Sequence, residues 1–147
     1  MRERLGWDQT FLRIARDIAV SRSPDPRTQC GCVIADDNNK ILGMGYNGYA
    51  KGFPDKLMPT DNDKYKWIIH AEANACYNCD CDPAGATAYV TGFPCLSCTL
   101  IMIQFGIKRV VYDQNCIPKM CDVRTQTEVK TACSYGGIKL VAVDMTY

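Results

Sequence analysis

Two short segments of this chain combine residue types that bind and use a metal ion. His70-Ala71-Glu72 contains the only histidine of the 147 residues, and Pro94-Cys95-Leu96-Ser97-Cys98 places two cysteines within one turn of a predicted helix start. Zinc takes nitrogen and thiolate ligands in a tetrahedron, and three protein ligands leave the fourth position open for water. Free N–H groups and the dipole at a helix start stabilise thiolates. We therefore predict a Zn²⁺ site formed by His70, Cys95 and Cys98.

Glu72 is the candidate catalytic group beside this metal site. Residues i and i+2 of a helix do not share a face, but at a helix start His70 can bind the metal while Glu72 reaches its open side. A metal lowers the pKa of bound water from ~16 toward ~7, so a nearby carboxylate can take a proton and later donate it. The alternative interpretations are that His70 is a hydrogen-bonded core or surface histidine that binds no metal, that Glu72 is only a first-turn helix charge, and that Cys95 and Cys98 are buried free thiols.

The cysteines also permit a different site. Cys76 and Cys79, followed after fifteen residues by Cys95 and Cys98, have the spacing of a structural zinc site with four thiolates. Such a site would make the chain a non-catalytic zinc-binding module. It would also leave the histidine and the glutamate without a role.

Composition favours one globular domain over residues 1–147, with 47% hydrophobic and 22% charged residues. The net charge of +1 gives no argument for a nucleic-acid polymer or a membrane as partner. No apolar run approaches the ~18 residues that span a bilayer, and the first residues lack the apolar region of a secretory signal. We expect a cytoplasmic protein whose ten cysteines are thiols or metal ligands.

Hydrophobic periodicity predicts the element order α-β-β-α-β-α-β-α-β. We expect helices over residues 7–20, 67–79, 95–105 and 122–135, and strands over 29–35, 41–46, 86–91, 107–112 and 138–143. Turn residues at 36–39 predict an antiparallel first hairpin, whereas strands linked by helices should be parallel. The predicted fold is therefore α/β, a five-stranded mixed sheet with helices on both faces. Residues 48–66 are predicted as a long polar loop.

Five motifs follow one another in a specific order: SPDPRTQCG at 23–31, GMGYNG at 43–48, HAEANA at 70–75, FPCLSC at 93–98 and GIKRV at 106–110. The H-x-E…P-C-x-x-C pattern within them belongs to zinc nucleobase deaminases in general. It would also suit cytidine, guanine, tRNA-adenosine or riboflavin-pathway deaminases. The whole set, over residues 7–143, resembles the deoxycytidylate (dCMP) deaminase family, and the Gly-Tyr-Asn-Gly turn and the long loop before His70 favour that substrate.

The resemblance implies a three-layer α-β-α cytidine-deaminase-like fold and hydrolysis of dCMP to dUMP and ammonia, with another free nucleotide or nucleoside as the alternative substrate. It implies zinc on the three ligands named above and Glu72 as the proton shuttle. Asn47 is expected to bind the sugar, and backbone groups near Ala71 to read the pyrimidine edge. The loop at 21–28 is where we expect the 5′-phosphate to bind, through Arg22, Ser23 and Arg27.

The resemblance also implies regulation and assembly. Members of this family are homohexamers, activated by dCTP and inhibited by dTTP, with Mg²⁺ on the effector triphosphate. The effector site is expected in the turn after the second strand, at Tyr46, Gly48, Tyr49 and Lys51. Residues 112–122 depart from the acidic, tyrosine-containing loop of the family. The second, structural zinc of some phage-type members cannot be copied here, because the chain has a single histidine.

Overall fold

The computed structural model describes residues 1–59 and 61–147; Thr60, inside the predicted loop 48–66, lies outside the described residues. The helices are α1 (Trp7–Arg22), α2 (Ala71–Tyr77), α3 (Leu96–Gln104) and α4 (Val123–Gly136). The strands are β1 (Gly31–Ala35), β2 (Ile41–Tyr46), β3 (Thr87–Val90), β4 (Arg109–Asp113) and β5 (Lys139–Val143). The order of these helices and strands along the chain is the predicted one.

All five strands form one sheet, in the order β2-β1-β3-β4-β5. Strand β1 pairs antiparallel with β2 and with β3, whereas β3, β4 and β5 run parallel to one another. The later strands are parallel because a helix connects each to the next and returns the chain to the starting edge. The predicted mixed sheet is confirmed.

Helices cover both faces of the sheet, because alternate residues of each strand point to opposite sides. Helix α1 packs on one face, where the core consists of Phe11, Leu12, Ala15, Val33, Ala35, Tyr89, Val111 and Met145. Helices α2, α3 and α4 pack on the other face, over a second core that includes Cys32, Ile34, Ala88, Val90, Met102, Val110, Val129 and Cys133. The three-layer α-β-α architecture follows.

The prediction of a helix over 67–79 was wrong at its start. Helix α2 begins at Ala71, after His70 in an extended conformation with φ −69° and ψ 154°. The backbone of Ile69 instead pairs with Gly48 through two hydrogen bonds of 2.7 and 3.1 Å. This pairing holds the chain extended up to His70, so the histidine lies at the helix start that metal binding requires.

The long connection between β2 and α2 contains two short 3₁₀ helices, Asp55–Leu57 and Asn62–Lys66, which the sequence did not predict. The other predicted boundaries differ from the observed ones by one or two residues. Among the described residues, no helix combines the length and the apolar character needed to cross a membrane.

Candidate metal centre and active site

The starts of helices α2 and α3 bring together the three predicted zinc ligands. His70 is the N-cap of α2, Cys95 is the N-cap of α3, and Cys98 lies in the first turn of α3. The ring nitrogen Nδ1 of His70 lies 3.2 Å from Sγ of Cys98 and 3.5 Å from Sγ of Cys95. One donor atom from each residue lies within 4.8 Å of the other two.

This donor set fits zinc. Bonds of about 2.3 Å to sulfur and about 2.0 Å to nitrogen in a tetrahedron separate ligand atoms by roughly 3.5 Å, and one imidazole with two thiolates leaves a fourth position open. His70 is exposed, Cys95 is half-buried and Cys98 is buried, so the cluster opens to solvent on one side. An open coordination position is the arrangement of catalytic rather than structural zinc sites.

The four-thiolate alternative is not formed. Within the described residues, the histidine and the two α3 cysteines are the only group of three or more metal-binding side chains whose ligand atoms meet. Cys76 is 2% exposed and packs in the core beneath α2. The Cys79 thiol donates to the carbonyl of Ala75 at 3.3 Å, within its own helix end.

Local hydrogen bonds favour a thiolate at Cys95. Its pKa is lowered to about 3, above all by the hydrogen bond with the Cys98 thiol and then by contacts with His70 and Ser97. The backbone N–H of Cys98 also donates to Sγ of Cys95 at 3.3 Å, as expected at a helix N-terminus. The side-chain hydrogen bond with Cys95, and then burial, raise the pKa of the Cys98 thiol. Metal binding requires this thiol to lose its proton.

Glu72 is a buried carboxyl group beside the cluster. It is the second residue of α2 and is 6% exposed. Burial, and then the negative charge of Cys95, raise its pKa. A carboxyl group whose pKa is raised toward neutrality can both accept and donate a proton, which is the requirement for an acid–base catalyst.

Glycines in β2 allow helix α2 to approach the sheet closely. A Cβ atom at Gly45 would lie 2.4 Å from the backbone nitrogen of Ala75 and 2.6 Å from the carbonyl oxygen of Ala71. A Cβ atom at Gly43 would lie 2.7 Å from the carbonyl oxygen of Ala75. Both positions therefore require glycine if the helix that carries Glu72 is to keep its place.

Two asparagines fasten the same helix to β2. Nδ2 of Asn74 donates to the carbonyl of Tyr46 at 2.8 Å, and Nδ2 of Asn78 donates to the carbonyl of Met44 at 2.9 Å. Asn74 and Asn78 are four residues apart and so lie on one face of the helix. Their acceptors, the carbonyls of Tyr46 and Met44, are two residues apart and so point in the same direction from the strand. No local sequence pattern predicts this pair of asparagines, because only their contacts in the folded chain identify them.

Asn47, predicted to bind the sugar, joins the turn after β2 to the segment before β1. Its Oδ1 accepts from the backbone N–H of Cys30 at 2.9 Å, and its Nδ2 donates to the carbonyl of Thr28 at 2.8 Å. The residue is 6% exposed. Its amide nitrogen carries a second hydrogen, which a ligand could accept.

The predicted phosphate loop is a hydrogen-bonded turn between α1 and β1. Arg22, the last residue of α1, and Arg27 are exposed, and Ser23 is half-buried. The hydroxyl of Ser23 accepts from the backbone N–H of Asp25 at 3.3 Å. Ala71, predicted to read the base, is fully buried at the first position of α2, where backbone N–H groups have no partner within the helix.

The predicted effector residues lie on the turn that follows β2. Tyr46 ends the strand, and the backbone of Gly48 pairs with Ile69. The hydroxyl of Tyr49 donates to the carbonyl of Pro59 at 3.3 Å, and Lys51 is exposed. This turn is thus joined directly to the residue before His70.

The segment at 112–122, where the sequence leaves the dCMP deaminase pattern, lies beside the cysteine motif. The ring of Tyr112 packs edge-on against Phe93, with centroids 5.1 Å apart. The backbone N–H of Phe93 donates to the carbonyl of Cys116 at 3.0 Å. This segment therefore borders the metal centre in spite of its different sequence.

Comparison with known proteins assigns the family. The family model of the cytidine and deoxycytidylate deaminase zinc-binding region matches residues 5–114, which include every residue of the cluster and Glu72. The chain belongs to this family. The family resemblance inferred from the motifs is confirmed.

Named relatives agree with this assignment. The chain is 43% identical over 114 residues to a probable deoxycytidylate deaminase of Caenorhabditis elegans, covering 73% of this chain and 57% of the relative. It is 40% identical over 116 residues to deoxycytidylate deaminase of Mus musculus, covering 74% and 65%. The chain thus spans less than two thirds of the length of these relatives.

The fold has solved counterparts. The dCMP deaminase of cyanophage S-TIM5 in its apo form superposes with a TM-score of 0.73 at 21% identity, over 92% of this chain and 96% of that chain. At this identity the similarity establishes the fold alone. The predicted α/β cytidine-deaminase-like fold is confirmed.

Proposed function

We propose that this chain catalyses the zinc-dependent hydrolytic deamination of dCMP to dUMP and ammonia. The main support is the meeting of His70, Cys95 and Cys98 beside the buried carboxyl group of Glu72. The relatives named deoxycytidylate deaminase, at 40–43% identity, support the choice of substrate. The chain would act as one domain over residues 1–147, in accord with its single sheet.

Each group of residues has a separate role in the proposed reaction. Zinc held by the three ligands would act as a Lewis acid that activates a water molecule. Glu72 would take one proton from the water and give it to N3 of the pyrimidine as the C4–O bond forms. It would then take the proton of the new C4 hydroxyl and give it to the amino group, which leaves as ammonia as the C4–N bond breaks and the C4 carbonyl forms. Asn47 orients the sugar, and the backbone at Ala71 reads the base. Arg22, Ser23 and Arg27 bind the 5′-phosphate.

Regulation and assembly belong to the same proposal. dCTP with Mg²⁺ would activate the enzyme and dTTP would inhibit it, at a second site formed by Tyr46, Gly48, Tyr49 and Lys51. This turn is joined through Gly48 to Ile69, next to the first zinc ligand, and so gives an effector a short path to the metal centre. A homohexamer and a cytoplasmic location remain predictions.

Ammonia release from a substrate panel tests the proposal. Protein holding about one zinc ion per chain is incubated with dCMP, CMP, dCTP or deoxycytidine, each with and without dTTP. We expect dCMP to be deaminated with the highest kcat/KM and dTTP to lower its rate. Preference for deoxycytidine would indicate a nucleoside deaminase instead, and absence of ammonia from every cytosine compound would reject the function.

A further inference from the structure

Lys64 and Asp25 form an ion pair that is removed from solvent. Nζ of Lys64 lies 2.8 Å from Oδ1 of Asp25, and the two side chains are 1% and 0% exposed. Taking two charges out of water is costly, and a pair of apolar residues often gives equal or greater stability. Stability alone therefore does not account for a buried ion pair between two connecting segments.

The pair joins two connections that are far apart in sequence. Asp25 lies between α1 and β1, where its Oδ1 also accepts from the backbone N–H groups of Arg27 at 2.9 Å and Thr28 at 3.3 Å. Lys64 lies in the 3₁₀ helix Asn62–Lys66, before α2. One carboxylate oxygen of Asp25 thus accepts hydrogen bonds both from the backbone of the turn at 25–28 and from Nζ of Lys64.

This fixed turn leads directly to the active site. The carbonyl of Thr28 accepts from Nδ2 of Asn47, and the backbone N–H of Cys30 donates to the Oδ1 of the same side chain. Cys30 also lies near Glu72: burial, and then the charge of that carboxylate, raise the pKa of the Cys30 thiol to about 12. The turn therefore borders the place where the nucleotide is proposed to bind.

The turn presents positive charge to solvent. Arg27 lies in the turn, Arg22 is the last residue of the preceding helix α1, and both are exposed. In the part of the chain that the structure describes, no carboxylate lies within ion-pair distance of either guanidinium group. Arginine binds phosphate oxygens through charge-assisted, often paired, hydrogen bonds.

We propose that the Lys64–Asp25 ion pair is a positioning device that holds the α1–β1 turn in the conformation that binds the 5′-phosphate of the substrate. Lys64 and Asp25 thereby set the preference for a nucleotide over a nucleoside, without touching the substrate. This inference rests on the proposed function and assigns the origin of its phosphate recognition.

The test compares binding of a nucleotide and a nucleoside by zinc-loaded variants. Lys64→Met and Asp25→Asn each break the pair, and Asp25→Asn keeps an oxygen that can accept from the turn. We expect the Kd for dUMP, measured by calorimetry, to rise about tenfold in both variants, because misplacement of a binding group weakens only its own contacts. The Kd for deoxyuridine should rise by no more than about twofold, because Asn47 keeps its hydrogen bond with the backbone N–H of Cys30. For dCMP the KM should rise while kcat stays within about twofold.

The double variant Lys64→Met with Asp25→Asn keeps the test valid if a single variant fails to fold, because it leaves no unpaired buried charge. Both residues act through one contact, so the double variant should weaken dUMP binding no more than either single change. Lys108→Met, which removes the exposed ion pair with Asp37, is the matched control and should bind dUMP as the wild type does.

Equal weakening of dUMP and deoxyuridine binding, or lower thermal stability with unchanged dUMP binding, would overturn the inference. Failure of the proposed function gives a different result. In that case the wild type itself, holding zinc, would not convert dCMP. A wild type that converts dCMP, with variants that bind dUMP normally, rejects the ion-pair role alone.

Discussion

At the scale of single residues, the metal centre depends on where each donor atom stands relative to a helix start. His70 and Cys95 are both N-caps, and the backbone N–H of Cys98 donates to Sγ of Cys95. The cap positions direct the donors away from their own helices and toward each other. They also place Glu72 one residue inside α2, buried and close to Cys95 and Cys98.

Cys95→Ser should abolish metal binding, because a serine hydroxyl does not ionise at neutral pH and is a poor zinc ligand. The zinc content after dialysis, measured by plasma mass spectrometry, should fall from about one ion per chain to near zero. Cys76→Ser is the matched control and should keep its zinc, since Cys76 lies in the core under α2. Loss of zinc from Cys76→Ser as well as from Cys95→Ser would favour the four-thiolate site, which needs both cysteines.

Sequence alone predicted the cluster but not the ion pair. The H-x-E and P-C-x-x-C motifs identified His70, Cys95 and Cys98, because they combine metal-binding residue types at a characteristic spacing. Lys64 lies in a polar segment without periodicity, and its partner is 39 residues away along the chain. No local pattern identifies such a contact, so only the folded chain reveals it.

At the scale of elements, the position of α2 on β2 decides whether Glu72 reaches the metal centre. The helix is short, with seven residues, and is held by close packing on glycines and by the Asn74 and Asn78 side chains. Its start is set by the pairing of Ile69 with Gly48. A nonlocal backbone pairing of this kind leaves no periodic signal, so the sequence predicted the helix four residues too early.

Gly45→Ala should displace α2, because the new Cβ would lie 2.4 Å from the backbone nitrogen of Ala75. Overpacking of this kind costs about 1–3 kcal/mol in free energy of unfolding. We expect a lower midpoint in urea denaturation, together with weaker zinc retention and loss of dCMP deamination.

Gly6→Ala is the control for this change, since the nearest atom to its added Cβ is a side-chain oxygen 3.8 Å away. It should shift the urea midpoint little and leave zinc and activity intact. A Gly45→Ala protein with wild-type stability and activity would show that α2 does not need this close approach.

At the scale of the whole molecule, an ion pair links helix α1 to strand β4 of the sheet. Arg109 of β4 donates two hydrogen bonds, of 2.6 and 2.9 Å, to the carboxylate of Asp8 in α1. Hydrogen bonds from Arg109 lower the pKa of Asp8 below its ordinary 3.8. The ion pair therefore stabilises the fold at pH values above the unfolded-state pKa of Asp8. This contribution is lost as the pH falls through the lower folded-state pKa.

Asp8→Asn should lower the free energy of unfolding by about 1 kcal/mol at neutral pH. The difference from wild type should shrink toward zero as the pH of the urea denaturation is lowered through the folded-state pKa of Asp8, where the wild-type carboxylate becomes protonated too. Asp37→Asn, at an exposed pair with Lys108, is the control and should change stability by less than about 0.5 kcal/mol. A pH-independent effect of Asp8→Asn would contradict this assignment.

The overall architecture was predictable only in part. The turn residues at 36–39 predicted the antiparallel hairpin, and the helices between the later strands predicted that these strands are parallel. The antiparallel contact between β1 and β3, and with it the order β2-β1-β3-β4-β5, did not follow from the pattern. These two strands are separated by β2 and α2, and pairing across such a distance depends on the packing of the whole chain.

The central claim, acid–base catalysis by Glu72 at a zinc centre, is tested most directly by the Glu72→Gln variant. The variant and the wild type are assayed for dUMP formed from dCMP, with zinc quantified on the same samples. The account predicts zinc content equal to wild type and a rate lower by about 10²–10⁴-fold, the usual contribution of a positioned acid–base group. A zinc-loaded Glu72→Gln protein that forms dUMP at the wild-type rate would contradict it.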